Sequence, residues 1–568
     1  MSLNKSLRVG TAVVAVAMAA TACGGSSSTT KNTGAGGTGT TDGKKGGQLE
    51  VLMASDFEHL DPQRNYVSSA LNFGRLIYRQ LTTYKSVAGT AGTEIVPDLA
   101  TNLGEPSDNA KTWKFTLKDG VKYEDGSAIT SQDVKYGVER SMSPLIPDGP
   151  QYAKQYLVGG TDYKGPFEGK ELASIETPDA KTIIFKLKSP HGDFGYTVSL
   201  PTFSPVPKAK DTKVSYDNHP FSSGPYKIAT YARGKSMMLV RNPNWDPKTD
   251  GVRKALPDTI NVTMGIVPTV IDNRLIASSA TDANAVQLDS SVQPESIGRV
   301  LPNAAVKKRS VSGTTGFLRY IAMNTAKPGP LQKPAVRQAL EYAINKQDQQ
   351  TARGGPIAAG DLATTILAPT VQGHKDFDAY PGGPTGDPAK AKQMLAAAGY
   401  PNGFTATIET SNTGKGVKQA TAFQAAMKRA GVTIKVAQVD QGVYYTTIGD
   451  IKKEPEFAIA AWGPDWPSAS TVIPPLFDGR QIVPQGNQNF SQLNDPAINA
   501  EIDKISAMTD LKAVATAYGD LDEKIMKDDA PIFPLLNDKA VYLYGGSVTG
   551  AFLHGFYGEP DMIALGVK

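Results

Sequence analysis

Residues 422–436 read AFQAAMKRAGVTIKV. Ala422, Phe423, Ala426, Met427 and Ala430 recur at helical spacing, so this stretch is an amphipathic helix with one buried stripe. Gly431 stops it, because glycine takes the left-handed conformation of a helix end without steric cost. Val432, Ile434 and Val436 then alternate, which marks a half-buried strand. A helix running straight into a strand is the unit of an α/β fold, and that order implies a largely parallel sheet.

The same grammar extends outward. Asp387-Pro388 opens a helix that buries Ala391, Met394, Leu395 and Ala398 and stops at Gly399. In PAVRQALEYAIN (334–345), Pro334 suits a first helical turn. Val336, Ala339, Leu340, Ala343 and Ile344 then form one stripe. The N-terminal half alternates instead. Trp113, Phe115 and Leu117 share one face of TWKFTL (112–117), and Ile183, Phe185 and Leu187 repeat the pattern. Asp119-Gly120 and Asp125-Gly126 mark turns. Thr130, with Asp133 three places on, begins a helix with a capping box. No internal repeat is present in the body.

A chain of 568 residues, 40% hydrophobic and 20% charged, is long enough for two to four domains with sizeable cores. Lys plus Arg number 59 and Asp plus Glu 55. Residues 1–22 carry two of those bases, Lys5 and Arg8, and no acid; without them the balance is 57 against 55, a net +2. That gives no electrostatic case for nucleic acid. Cys23 is the single cysteine. It excludes an intrachain disulfide and any multi-cysteine zinc site.

Residues 1–22 have the layout of a secretory signal: a positive start, then an apolar run from Val9 to Ala22 too short to span a membrane. Ala20-Thr21-Ala22-Cys23 resembles a bacterial lipobox, with Ala20 where a larger aliphatic residue is usual. The resemblance implies that Cys23 carries a lipid. Residues 24–47 are nearly all Gly, Ser and Thr, the composition of a flexible tether.

The chemistry-bearing patterns are few. His59, His191, His219, His374 and His554 are scattered, without H-E-x-x-H or another metal pair. His191, His219 and His554 adjoin Gly or Pro and are expected in surface loops. There is no G-x-S-x-G elbow, Walker motif or dinucleotide glycine pattern. Ser28-Thr29-Thr30-Lys31 and Ser107-Asp108-Asn109 imitate fragments of penicillin-recognising enzymes, the first inside the tether. Asn242, Asn244 and Asp246 imitate a calcium loop, but Pro247 and Arg253 stand where glycine and glutamate are needed. No cofactor, metal or catalytic set is expected.

Several ordered blocks resemble the solute-binding proteins of ABC importers, in the oligopeptide- and dipeptide-binding family (family 5). They are Pro97-Asp98-Leu99-Ala100 with TWKFTLKDGVKYEDGSAITSQDVKY (112–136), Gly224-Pro225-Tyr226-Lys227, Arg241-Asn242-Pro243-Asn244-Trp245, and Asn324 with Val336 to Leu340. Ala389 to Tyr400, Trp462-Gly463-Pro464-Asp465-Trp466 and Ala530-Pro531-Ile532-Phe533-Pro534 complete the set. The resemblance implies an α/β, two-lobed periplasmic-binding-protein fold (type II) with an extra third domain. Lobe I is expected from 48–90, 223–323 and 530–568, the extra domain from 91–222 and lobe II from 324–529, after the signal (1–22) and tether (23–47).

In peptide-binding members the aspartate of a W-x-x-D segment pairs with the ligand ammonium; the match here is Asp465. By the same resemblance Trp462 and Trp466 supply aromatic wall, and the backbone of Gly463 and Pro464 runs beside an extended ligand. Pro464, without an N–H, departs from a fully hydrogen-bonding segment. Asn324 and Tyr444, with Tyr445, are further lining candidates. The implied function is capture of a short peptide for an ABC permease, by a monomer attached to the outer face of the membrane through lipid alone. A non-peptide solute (an amine, an oligosaccharide or a metal chelate), a secreted hydrolase and a structural surface protein are the alternatives.

Overall fold

The strands that build the three large sheets are, in chain order, β1 (Gln48–Leu52), β2 (Glu105–Ser107), β3 (Thr112–Thr116), β4 (Ile175–Glu176), β5 (Thr182–Lys186), β6 (Tyr226–Ala232), β7 (Ser236–Arg241), β8 (Thr259–Thr263), β9 (Ala285–Gln287), β10 (Ser310–Met323), β11 (Asp361–Leu362), β12 (Thr405–Ser411), β13 (Thr433–Val439), β14 (Phe457–Trp462) and β15 (Ile532–Leu543). Four helices carry the sequence patterns quoted above: α1 (Ser131–Arg140), α2 (Pro334–Ala343), α3 (Pro388–Ala397) and α4 (Gly414–Arg429). This computed structural model describes residues 43, 45–146, 149–439 and 444–568; the expected signal, Cys23 and most of the tether lie outside them.

The four-stranded sheet runs β2-β3-β5-β4. Trp113 pairs across to Phe185 and Phe115 to Ile183, all buried, so the two alternating stretches face one core. Phe194 and Phe203 close it. The Asp133 carboxylate accepts the Thr130 backbone N–H and hydroxyl, both at 2.8 Å, and so fixes the start of α1. A five-stranded sheet, β9-β1-β8-β7-β6, draws its strands from both sides of that segment in sequence.

The six-stranded sheet is β11-β15-β10-β14-β12-β13. Phe423 of α4 packs on Phe457 and Phe533 at ring-centroid distances of 5.0 and 5.6 Å. The α2 stripe is buried in the same core. The expected largely parallel sheet is not what forms. β12 is parallel to β13 and β14, but β10 is antiparallel to β14 and β15, and β11 to β15. Parallel pairing needs a crossover such as α4, whereas β10 and β15 come from distant parts of the chain and pair head to tail.

β10 and β15 are the long strands, paired from Ser310 with Leu543 to Ala322 with Ile532. Val311 belongs to the core of the five-stranded sheet, and Ile321 and Phe533 to that of the six-stranded sheet. Their register shifts between Thr314 and Leu318, and Gly316 sits inside the shift at φ +83°. A bulge of this kind bends a strand pair.

One local expectation fails. His554 is fully buried, not in a surface loop. Its Nε2 bonds the Lys85 carbonyl at 3.0 Å and its Nδ1 accepts the Phe556 N–H at 3.1 Å. Burial lowers its pKa to about 4, so it is a neutral core group. Among the described residues no helix is long and apolar enough to cross a membrane, and no group of three or more His, Cys, Asp or Glu side chains could hold a metal.

Candidate functional site

β14 stays paired to β10 as far as Trp462, but to β12 only at Phe457 and Ala458. From Ile459 onward its flank toward β12 is open. Tyr444 wedges the opening: its hydroxyl lies 2.6 Å from the Ile459 carbonyl and 3.0 Å from that of Glu409. Past Trp462 the chain leaves the sheet as Gly463-Pro464-Asp465-Trp466.

Three cavities follow this run in order. One of about 550 Å³ lies beside Ile459 and Ala460. One of about 310 Å³ is walled by Ala461 to Asp465, together with Tyr66, Phe317 and Phe556. The largest of the three, about 930 Å³, is walled by Trp462, Asp465, Tyr152, Tyr156 and Asp193, among others. Asp465 therefore stands at the wall between the second and third.

Its setting is unusual for a carboxylate. Oδ1 accepts the Tyr66 hydroxyl at 2.6 Å and Oδ2 accepts that of Tyr152. No cation pairs with it among the described residues. Burial pushes the Asp465 carboxyl above the usual carboxylate range, and the two tyrosine hydroxyls pull it part of the way back. A half-buried negative charge with no counter-ion among the described residues favours an incoming cation, and a charge-assisted hydrogen bond is stronger than a neutral one.

The rest of the large cavity has the same sign. Asp193, Asp465, Asp478 and Asp503 share the wall with one arginine, Arg480, which forks onto Asp478 at 2.8 Å and Asp503 at 2.6 Å. Ser189 Oγ lies 3.2 Å from His191 Nε2, the one hydroxyl–imidazole contact in the wall. Among the described residues no carboxylate is hydrogen-bonded to that imidazole, and burial lowers its pKa. It stacks on Tyr156 at 3.8 Å. The orienting third group of a nucleophile–base set is missing.

Residues 94–483 match the family described as bacterial extracellular solute-binding proteins, family 5 Middle. The chain belongs to that family. This family 5 protein is a solute-binding protein, not an enzyme. It is 36% identical to the solved structure of clavulanic acid biosynthesis oligopeptide binding protein 2, with a TM-score of 0.87 over 92% of this chain and 96% of that one. It is 24% identical over 455 residues to the glutathione-binding protein GsiB of Salmonella typhimurium, covering 79% of this chain and 81% of the relative. The Helicobacter pylori periplasmic binding protein DppA, solved in complex with peptide STSA, shares the fold at 22% identity and a TM-score of 0.65, over 92% of this chain and 98% of that one.

The singled-out residues of this family 5 protein separate into two groups. Trp462, Gly463, Pro464 and Asp465 come together at the cavity walls. Trp462 is held by its Nε1 donating to the Thr471 carbonyl at 2.7 Å. Trp466 does not join it as wall. It is 0% exposed, donates Nε1 to Asp193 at 2.9 Å and packs edge-on against Tyr152 at 4.7 Å. An indole that finds a buried acceptor and an aromatic core has no reason to face a cavity. Asn324 is 3% exposed and outside the three cavities; its Oδ1 accepts the Ala326 and Lys327 N–H groups and shapes the turn after β10. Tyr444 borders the 550 Å³ cavity, with its hydroxyl committed to the wedge. Tyr66 and Tyr152 went unnoticed in the sequence. They lie 399 and 313 residues from Asp465, and no local pattern marks either.

Proposed function

We propose that this family 5 protein captures a short peptide by its free N-terminal ammonium, held at Asp465, and delivers it to an ABC permease from the outer face of the membrane, where a lipid on Cys23 attaches it. One observation carries the reading: a half-buried carboxylate, oriented by two tyrosine hydroxyls and without a cation among the described residues, at the wall shared by two adjoining cavities. The open flank of β14 supports it, since an extended ligand can pair there as an added strand. The relatives named above agree in kind, binding an oligopeptide, glutathione and peptide STSA by their names. All three are peptides, and a peptide offers an N-terminal amine unless it is blocked. The test is mass spectrometry of ligand released from the purified protein, followed by thermal melting with that ligand, because binding the native state alone raises Tm. A released peptide that raises Tm only with its amine unblocked supports the reading. A released solute without an amine overturns it.

A further inference from the structure

The 550 Å³ cavity carries the opposite charge to the large one. Its wall holds Arg319, Arg353, Lys415 and Lys418 and, among the described residues, no carboxylate. Arg319 is paired to Asp538 at 2.7 Å. Arg353 donates Nη1 to Gln419 at 3.1 Å, but its Nε is buried with no partner. Lys415 and Lys418 have no ion pair among the described residues, although Asp538 and Glu295 lie within electrostatic range of Lys415. Burial and the neighbouring Arg353 and Arg319 lower the Lys415 pKa.

The placement also breaks a local rule. Lys415 and Lys418 stand in the first turns of α4, which has no acidic residue there. A helix N-terminus favours anions and disfavours cations. The Thr413 hydroxyl accepts the Gly416 N–H at 3.1 Å. The N–H groups of Gly414 and Lys415 have no acceptor among the described residues. Thr410 and Ser411 add hydroxyls to the same wall. Like charges gathered at the positive end of a helix, beside a buried unsatisfied guanidinium nitrogen, are unfavourable until an anion arrives. Such local conflicts mark functional positions.

The cavity is also in line with the cleft. Arg319 pairs in register with Ala461, and Phe317 and Ala461 wall the cavity next along β14. Ala460, at the cationic cavity, and Asp465 are five residues apart. An extended chain covers that in at most ~17 Å, a span that a peptide of about five residues bridges.

We infer that the cationic cavity receives the far end of the ligand, and that this end bears two carboxylates: a peptide whose C-terminal residue is itself acidic. The inference rests on the peptide reading above and adds ligand polarity and end-group chemistry to it. One carboxylate leaves most of the cationic wall uncompensated, whereas a C-terminal Glu supplies two.

The experiment is calorimetry with Ala-Ala-Ala-Ala-Glu, Ala-Ala-Ala-Ala-Ala and the N-acetylated form of the first, on wild type and on Lys415→Ala/Lys418→Ala. Glutarate alone serves as a mimic of the end group. The Glu-ended peptide should bind wild type at least ~10-fold more tightly than the Ala-ended one. The double variant should lose that preference and lose glutarate, while the penalty for N-acetylation stays unchanged. Equal affinity of the two free peptides, or a preference that survives in the double variant, overturns the inference and leaves the ammonium reading standing. Indifference to N-acetylation, with the glutarate effects intact, overturns the ammonium reading and keeps the cavity assignment.

Discussion

Asp465 is the residue on which recognition turns. Asp465→Asn keeps the shape and one acceptor oxygen but removes the charge. Truncating one partner of a buried charge pair costs about 2–5 kcal/mol. At about 1.4 kcal/mol per tenfold, peptide affinity should fall by at least ~30-fold. N-acetylation of the peptide should weaken wild type similarly and hardly affect the variant. Calorimetry on the four combinations measures that non-additivity; simple addition of the two losses removes Asp465 as the ammonium partner. The same carboxylate sets a pH dependence. Binding needs it ionised, and burial raises its pKa. Affinity should therefore decline on acidification before an ordinary solvated carboxylate would titrate, and Asp465→Asn should be flat over that range.

At the scale of elements, the loop that feeds β14 holds a buried acid. Glu454 is 4% exposed; its Oε2 accepts the Gln492 side chain at 2.6 Å and its Oε1 has no partner. Burial raises its pKa to about 8, Gln492 opposes the shift and Glu409 adds to it. The sign follows from linkage. An acid whose folded-state pKa lies above its unfolded value stabilises the fold fully below the unfolded pKa, about 4.3. That contribution is lost as pH rises through the folded value of about 8. Stability should fall between pH 5 and 8 by an amount on the order of a few kcal/mol. Glu454→Gln, neutral at every pH, should make that slope shallower by this share, the rest coming from other buried acids such as Glu341 and Asp522. Urea melts of both proteins at pH 5, 6, 7 and 8 measure it; parallel slopes would show that the carboxyl is ionised in the fold.

At the scale of the molecule, β10 and β15 run between the cores of the five- and six-stranded sheets, with a register shift at Thr314–Leu318. The Tyr66 hydroxyl meets Asp465 at 2.6 Å where two cavities adjoin. A strand pair that bends at a bulge lets lobes rotate about it, and closure around ligand is the expected motion. Small-angle scattering should give a smaller radius of gyration with saturating peptide. An unchanged profile at proven occupancy would mean a cleft that does not close. The attachment is testable separately. Cys23→Ser should release the protein from the membrane fraction while leaving peptide affinity unchanged, because a Gly/Ser/Thr tether separates that position from the body. Retention of the variant at the membrane would rule out lipidation at Cys23.

Periodicity and end signals were enough to determine the local elements. The stripe of α4, the stop at Gly431 and the facing pairs of β3 and β5 form where the residues place them, since each rests on contacts within a few residues or on one buried face. The ordered blocks also pointed to the family, and the segment from Trp462 to Asp465 to the cleft. Tertiary structure decided what depends on distant neighbours. It made the six-stranded sheet mixed, because β10 and β15 reach it from far apart in sequence. It sent Trp466 to Asp193 and buried His554, since a polar aromatic goes where a desolvated partner waits. It also brought Tyr66 and Tyr152 to Asp465 and gathered Arg319, Arg353, Lys415 and Lys418 around one cavity. Such charges and hydroxyls have no period along the chain; only folding sets their separation, and the separation determines what they bind.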